Sequence, residues 1–372
     1  MSGGGASAMP PAGRVQRRAA ALVVAGLLLG LALLGLRARR SAEPQELHPS
    51  QGPLDRRHLA VVVNTADPLS EAIGMHYARA RRIPARQVIR VRFQPDQVEI
   101  SPARFKALRL QVLRRTPAHV QVYALAWWRP YRVGCQSITS AMSFGVDRRW
   151  CADSCLPTRV NPYFARGDVR RPWDQLGLRP SMLLAARSEA AARRLIDRGV
   201  AADGTAPAGT AYLMISSDPV RNVRALNYDA AAATLGSRLQ VRIRRGDALR
   251  GARDVIAYFT GLQQVRGLAS VGFRPGAIAD HLTSFGGQLE GGPQMSALRW
   301  LEAGASGSYG TVVEPCNFPA KFPDPALALS AYRDGATLIE AYWRSVAMPG
   351  QGVFIGEPLA RPWAAASAAG KQ

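Results

Sequence analysis

Residues 275–289, PGAIADHLTSFGGQL, hold the only histidine in the C-terminal half of the chain. Asp280 precedes His281, and Thr283 and Ser284 follow it. Two chemistries are open to such a set. A histidine within reach of a thiol makes a nucleophilic dyad, because the imidazole takes the proton that leaves a thiolate. The thiol on offer is Cys316, in the segment EPCNFPAKFP. A histidine beside a hydroxyl makes a serine-type pair. Ser284 stands three residues on and shares a face with His281 if the segment is helical. That pair also needs an orienting acid and an oxyanion hole. Asp280, adjacent in sequence, points elsewhere on a helix, and no G-x-S-x-G elbow occurs. A plainer use competes with both. Residues 276–282 can be the first turns of a helix, with Thr283 and Ser284 bonding turn amides. His281 can donate to a buried carbonyl, and Gly286 and Gly287 can ease the backbone.

These residues need a frame. HLAVVV at 58–63 is a short apolar, β-branched run and reads as a buried strand. Asp67 can cap the helix that follows, Pro68 fits its first turn, and Leu69, Ile73, Tyr77 and Ala80 recur at helical spacing. VIRVRF, HVQVYALAW, SMLLAA, AYLMIS, DVIAYF, LASVGF, GSYGTVV and GVFIG read as further strands. Helices are expected from Ser101-Pro102 and over EAAARRLIDRGV, MSALRWLEAGA and TLIEAYWRSV. This alternation predicts an α/β domain over residues 58–363, a mostly parallel sheet flanked by helices. Residues 127–173, rich in Pro, Trp and Cys, read as a long ordered insertion. No internal repeat is visible. In an open parallel sheet, ligands bind outside the carboxyl ends of strands. Four loops leave strands there: NTADP, TGLQQ, the 275–289 stretch and EPCNFPAKFP. If they converge, Asn64, Asp67, Thr260, Asp280, His281, Thr283, Ser284 and Glu314 line one cleft.

The formal charge of +22 suggests nucleic acid at first sight. The charge is nearly all arginine, with lysine only at Lys106, Lys321 and Lys371, and it is scattered without an interleaved aromatic stripe. Nucleic acid is therefore not the expected partner; the charge reads as a solvated basic surface, which can also lie against anionic lipid. Neither G-x-G-x-x-G nor G-x-x-x-x-G-K-[ST] occurs, which argues against a kinase, a P-loop NTPase or an ordinary dehydrogenase; no cofactor is expected. Residues 1–18 are rich in Gly, Ala and Pro and read as a disordered tail. Ala19 to Leu36 is an uncharged apolar run between Arg14, Arg17 and Arg18 on one side and Arg37, Arg39 and Arg40 on the other. Its length and the absence of an A-x-A site favour a transmembrane signal anchor in the lipid bilayer over a cleaved signal. Residues 37–57 read as a linker and 364–372 as a tail. The body is then expected outside the cytoplasm, in the periplasm, or secreted if the signal is cleaved.

Four cysteines, Cys135, Cys151, Cys155 and Cys316, fit this placement as disulfides. Zinc is the rival, but Cys-x3-Cys without a nearby histidine is a weak metal pattern, and no metal site is expected.

The runs VVVNTADPLSEAIGMHYARARRIPARQVIRV, PGAIADHLTSFGG, WLEAGASGSYGTVVEPCNFPAKFP and LIEAYWRSVAMPGQGVFIGEPLARP resemble a family of uncharacterised bacterial proteins and cover most of residues 58–363. The order of parts also resembles gingipain-type cysteine peptidases, which have a caspase-like fold. In that family one strand ends near GHG with the catalytic histidine, and a later strand ends at the catalytic cysteine. A helix, a GAxAxxG strand and a GDP turn follow. Here YFTG takes the histidine place with Thr260, and FRPGAIADH takes the cysteine place without a cysteine. AGASGSYGTVVEP and GEPL match the later parts. The resemblance implies a caspase/gingipain-like frame lacking the dyad at the matched positions. The expected function is a membrane-anchored, exported binding or scaffold domain for a peptide or an envelope protein. The alternative is a peptidase-like hydrolase using His281 with Cys316 or a nearby hydroxyl.

Overall fold

The computed structural model describes residues 52–152 and 155–364. The expected membrane segment 19–36, the tail 1–18 and most of the linker lie outside the described residues. The body begins earlier than residue 58. Leu54 is buried and its amide donates to the Glu340 carboxylate, so residues 52–57 belong to the domain.

The run Leu59–Asn64 (β1) is buried along its whole length, as a strand covered on both faces must be. Asp67 accepts from the Leu69 amide and Pro68 opens α1 (Pro68–Ala80). Then come β2 (Val88–Val91), α2 (Pro102–Arg115, capped by Ser101) and β3 (Val122–Leu125). A small hairpin, β4 (Arg132–Val133) and β5 (Gln136–Ser137), leads into α3 (Ile138–Phe144). Next are α4 (Pro172–Leu176), β6 (Ser181–Leu183) and α5 (Glu189–Ala202). The segment read as an insertion supplies part of the core: Trp127, Tyr131, Ile138, Met142, Trp150 and Tyr163 are buried.

The second half begins at β7 (Thr210–Ile215) and runs through α6 (Tyr228–Leu235), β8 (Gln240–Arg245), β9 (Val255–Gly261), β10 (Phe273–Leu282), α7 (Leu298–Ala303) and β11 (Gly307–Thr311). Then α8 (Pro325–Arg333) and α9 (Leu338–Ser345) carry the chain back to β12 (Gly352–Gly356). Two sequence expectations change here. LASVGF contains a 3-10 turn, Leu268–Ser270, rather than a strand. Residues 276–282, read as a helix start, are the body of β10. Their small and branched residues sit between β9 and β11, and sheet pairing overrides the local turn signal.

The ten-stranded sheet has the order β2-β1-β3-β6-β12-β11-β10-β9-β7-β8. Every neighbouring pair is parallel except β11 with β12. The sheet is therefore two parallel five-stranded halves of opposite polarity, joined at that pair. Read inward from its free edge, each half has the doubly wound order second, first, third, fourth, fifth. The repeat absent from the sequence is thus present in the topology. The chain supplies the fifth strand of the first half, β12, only after the second half is complete.

One face carries a single core running across the junction, from Val61 and Tyr77 through Ile278 and Tyr309 to Phe354. The other face is divided. Trp127, Phe105 and Ile355 belong to one cluster, and Trp300, Tyr258 and Met214 to another.

Candidate functional site

Opposed polarity puts the carboxyl ends of the two halves on opposite edges of the sheet. The four loops expected to converge therefore do not. Thr260, Thr283, Ser284, Glu314 and Cys316 gather at or beyond the ends of β9, β10 and β11. Asn64 ends β1 and Asp67 lies just beyond it, on the other edge. Asn64 is buried and fastens β1 to the end of β2: its side-chain amide donates to the Phe93 carbonyl, and its Oδ1 accepts from the Phe93 and Ala66 amides. Asp67 is the α1 cap.

Because 273–282 is a strand, consecutive side chains point to opposite faces. Asp280 and His281 are accordingly separated by the sheet, and the shared helix face drawn for His281 and Ser284 does not exist. His281 is fully buried. Its Nε2 donates to the Met295 carbonyl at 2.9 Å, and its Nδ1 accepts from the Trp300 indole N–H at 2.9 Å. These partners assign the neutral tautomer with the proton on Nε2. Burial first, then the positive Arg224 and Arg221, pull its pKa down to about 4, although the Met295 bond opposes this. A base needs a free lone pair near a proton to be taken, and this imidazole has neither.

Asp280 faces the continuous core. Its carboxylate lies 2.6 Å from the Arg224 guanidinium, and both side chains are almost wholly shielded from solvent. Arg224 also donates to the Thr260 and Pro323 carbonyls. Burial raises the Asp280 pKa to about 6, with Arg224 pulling the other way. Thr260 is itself buried, and its register partner on β10 is His281.

All four cysteines are paired, Cys135 with Cys151 and Cys155 with Cys316. Cys316 therefore has no thiol to form a dyad with His281. Its amide donates to Glu314 Oε1 at 2.7 Å. Ser284 Oγ donates to the same carboxylate oxygen at 3.0 Å, at the surface. Thr283 Oγ1 donates to Gln294 Oε1 and accepts from Arg221 Nε, and Arg221 reaches Asp218 at 2.8 Å. Gly287 is where it is because of close approach. A Cβ there would come within 2.5 Å of the Gly310 carbonyl on β11.

Trp300, Arg224, Arg221, Gln294 and Lys321 were not among the site residues expected from the sequence. Lys321 is buried with Nζ on the Pro315 carbonyl, and burial lowers its pKa while Glu314 opposes. Arg221 and Arg224 come from a short 3-10 helix, Asn222–Asn227, and its cap, too brief for a periodic signal, and Gln294 from a loop. Their partners are brought by the fold. Among the described residues, no group of three or more His, Cys, Asp or Glu side chains is placed to hold a metal ion. No helix among them is long and apolar enough to cross a membrane. No family model, curated protein or solved structure matches the chain.

Proposed function

We propose that this chain is an exported binding or scaffold domain, recognising a peptide or another envelope component, on a caspase/gingipain-like frame without the peptidase's chemistry. The observation that carries the reading is the state of the candidate nucleophile and base. His281 uses both ring nitrogens inside the core, and Cys316 is in a disulfide. The remaining hydroxyl candidate, Ser284, bonds a carboxylate and has no imidazole beside it. Support for the frame comes from β9 and β10, which are adjacent and parallel as the resemblance requires, and from the GEPL turn directly after β12. Support for an extracytoplasmic body with residues 19–36 as its membrane anchor comes from the two disulfides, which persist in oxidising compartments.

The test is a cleavage assay of the full-length chain, purified in detergent, against a mixed-sequence peptide library, beside His281→Gln. No turnover in either protein is the expected result. Turnover that disappears in the variant would restore the hydrolase reading.

A further inference from the structure

At the carboxyl end of β6 the chain runs through Ala185 and Ala186 to Arg187, and Ser188 caps α5. Between this end, α5 and α7 lies a cavity of about 60 Å³. Alanine and leucine side chains form part of its wall, and three guanidinium side chains line it: Arg187, Arg194 and Arg198. The position is where ligands enter parallel α/β sheets. It opens at the carboxyl edge of the first half, with α7 of the second half closing one side, on the edge opposite the loops of β10 and β11, so it stands apart from the reading above.

The three arginines are unequal. Arg198 is the inner one. Its Nη2 donates to the Leu301 and Ala305 carbonyls at the end of α7, at 3.1 and 2.7 Å. Its Nε is buried and has no partner. Burial and then the neighbouring Arg194 lower its pKa to about 10, and no acid acts in the other direction. Arg194 stands one turn earlier on α5, exposed, with no hydrogen bond or ion pair among the described residues. Like charges at this spacing repel. Arg187 is held at the mouth by the Leu289 and Glu290 carbonyls and stacks over Trp128. One carboxylate, Glu302, also lines the cavity, and it is paired with Arg299 at 2.9 Å. Three cations thus face one already partnered acid at this cavity.

We propose that this cavity binds a single phosphate group between Arg187, Arg194 and Arg198. At about 10–15 Å³ of cavity space per water, the cavity has room for a few water-sized groups, which suits one tetrahedral oxyanion. Guanidinium groups match phosphate oxygens in geometry as well as charge. The group can arrive as free inorganic phosphate or as the headgroup of a phosphomonoester lipid.

The experiment titrates the full-length protein in detergent with inorganic phosphate, and separately with dihexanoyl phosphatidic acid against dihexanoyl phosphatidylcholine. Ionic strength is matched with chloride, and heat and melting temperature are read. Saturable binding of at least one phosphate source is expected, weakened about tenfold or more by Arg194→Gln. Arg194 bonds nothing within the fold, so this variant keeps its structure. Glu302→Gln should tighten binding a few-fold by removing the one opposing charge. Saturation by inorganic phosphate assigns the free ion; saturation by the phosphatidic acid alone assigns the lipid. Equal responses in wild type and Arg194→Gln, or no saturation by either source, overturn the proposal.

Discussion

The two half-sheets share a strand order and finish their carboxyl edges differently. In the second half, Arg221 bonds Thr283 and Asp218, and Ser284 bonds Glu314, across the ends of β7, β10 and β11. The polar residues that drew attention in the sequence are there a closed set. In the first half, Arg81 joins Asp203 and the buried Glu357 beneath the end of β12, but Arg194 and Arg198 face a cavity whose one acid, Glu302, is paired with Arg299. The outer strands differ too. β2 has four residues, and Arg115 donates to its Arg90 carbonyl; β8 has six, mostly exposed, with Arg242, Arg244 and Arg245. A strand order can therefore be repeated while the loops leave one edge self-satisfied and the other short of negative charge. Type and spacing of polar residues point to chemistry only where the fold leaves them unpartnered.

The comparison can be tested at its covalent tie. The Cys155–Cys316 disulfide spans 161 residues and links the first half to the loop after β11, whereas Cys135–Cys151 spans 16 and stays within the first half. In the chain-entropy limit the longer loop is worth about 5 kcal/mol and the shorter about 3 kcal/mol. Denaturant unfolding of the two double-serine variants should rank them in that order. Equal losses would mean that the halves are held together by the β11/β12 junction alone.

Each half also has a buried ion pair, Asp280–Arg224 in one and Glu357–Arg81 in the other. Removing the cation leaves an uncompensated carboxylate, so Arg224→Met and Arg81→Met should each cost about 3–5 kcal/mol. A loss confined to one variant would show that only one half limits global unfolding.

Acid titration sharpens the view of β10. Asp280 has its folded pKa raised to about 6 from 3.8, so the folded state holds the proton more tightly and stability falls as pH rises from 4 to 6. His281 has its folded pKa lowered to about 4 from 6.5, so the unfolded state holds the proton and stability rises with pH over the same window. The two slopes oppose, each worth up to about 3 kcal/mol at ~1.36 kcal/mol per pH unit. Stability of His281→Gln should fall more steeply than wild type between pH 4 and 6, and that of Asp280→Asn should rise. Parallel curves for all three proteins would contradict the burial of these groups. The smallest effect is expected at the surface. Ser284→Ala should change unfolding free energy by less than about 1 kcal/mol, and a larger loss would place Ser284 in the core rather than on the rim.

Much of the frame was legible in the residues. The β-branched run of β1, the Asp67-Pro68 start of α1, the Ser101-Pro102 start of α2 and the apolar strands β7 and β9 follow from local periodicity and capping. That the cysteines form disulfides followed from their even number and the expected export, while which pairs with which did not. The register and polarity of the sheet did not, because they depend on contacts between segments far apart in the chain. Residues 276–282 show this most directly: glycine and polar groups suggest a turn, while flanking strands make them a strand and place Asp280 and His281 on opposite faces. β8 escaped notice although Val241 and Ile243 alternate with Gln240, Arg242 and Arg244, because the run is short and mostly charged. The sequence by itself determined an α/β chain with paired cysteines and a basic surface, since each of these rests on composition or near-neighbour pattern. Only the tertiary structure decided which polar groups meet. The reversal at β11/β12 sends Asn64 and Asp67 to one edge and Ser284 and Glu314 to the other. Burial then turns His281 from a candidate base into a neutral donor to a carbonyl.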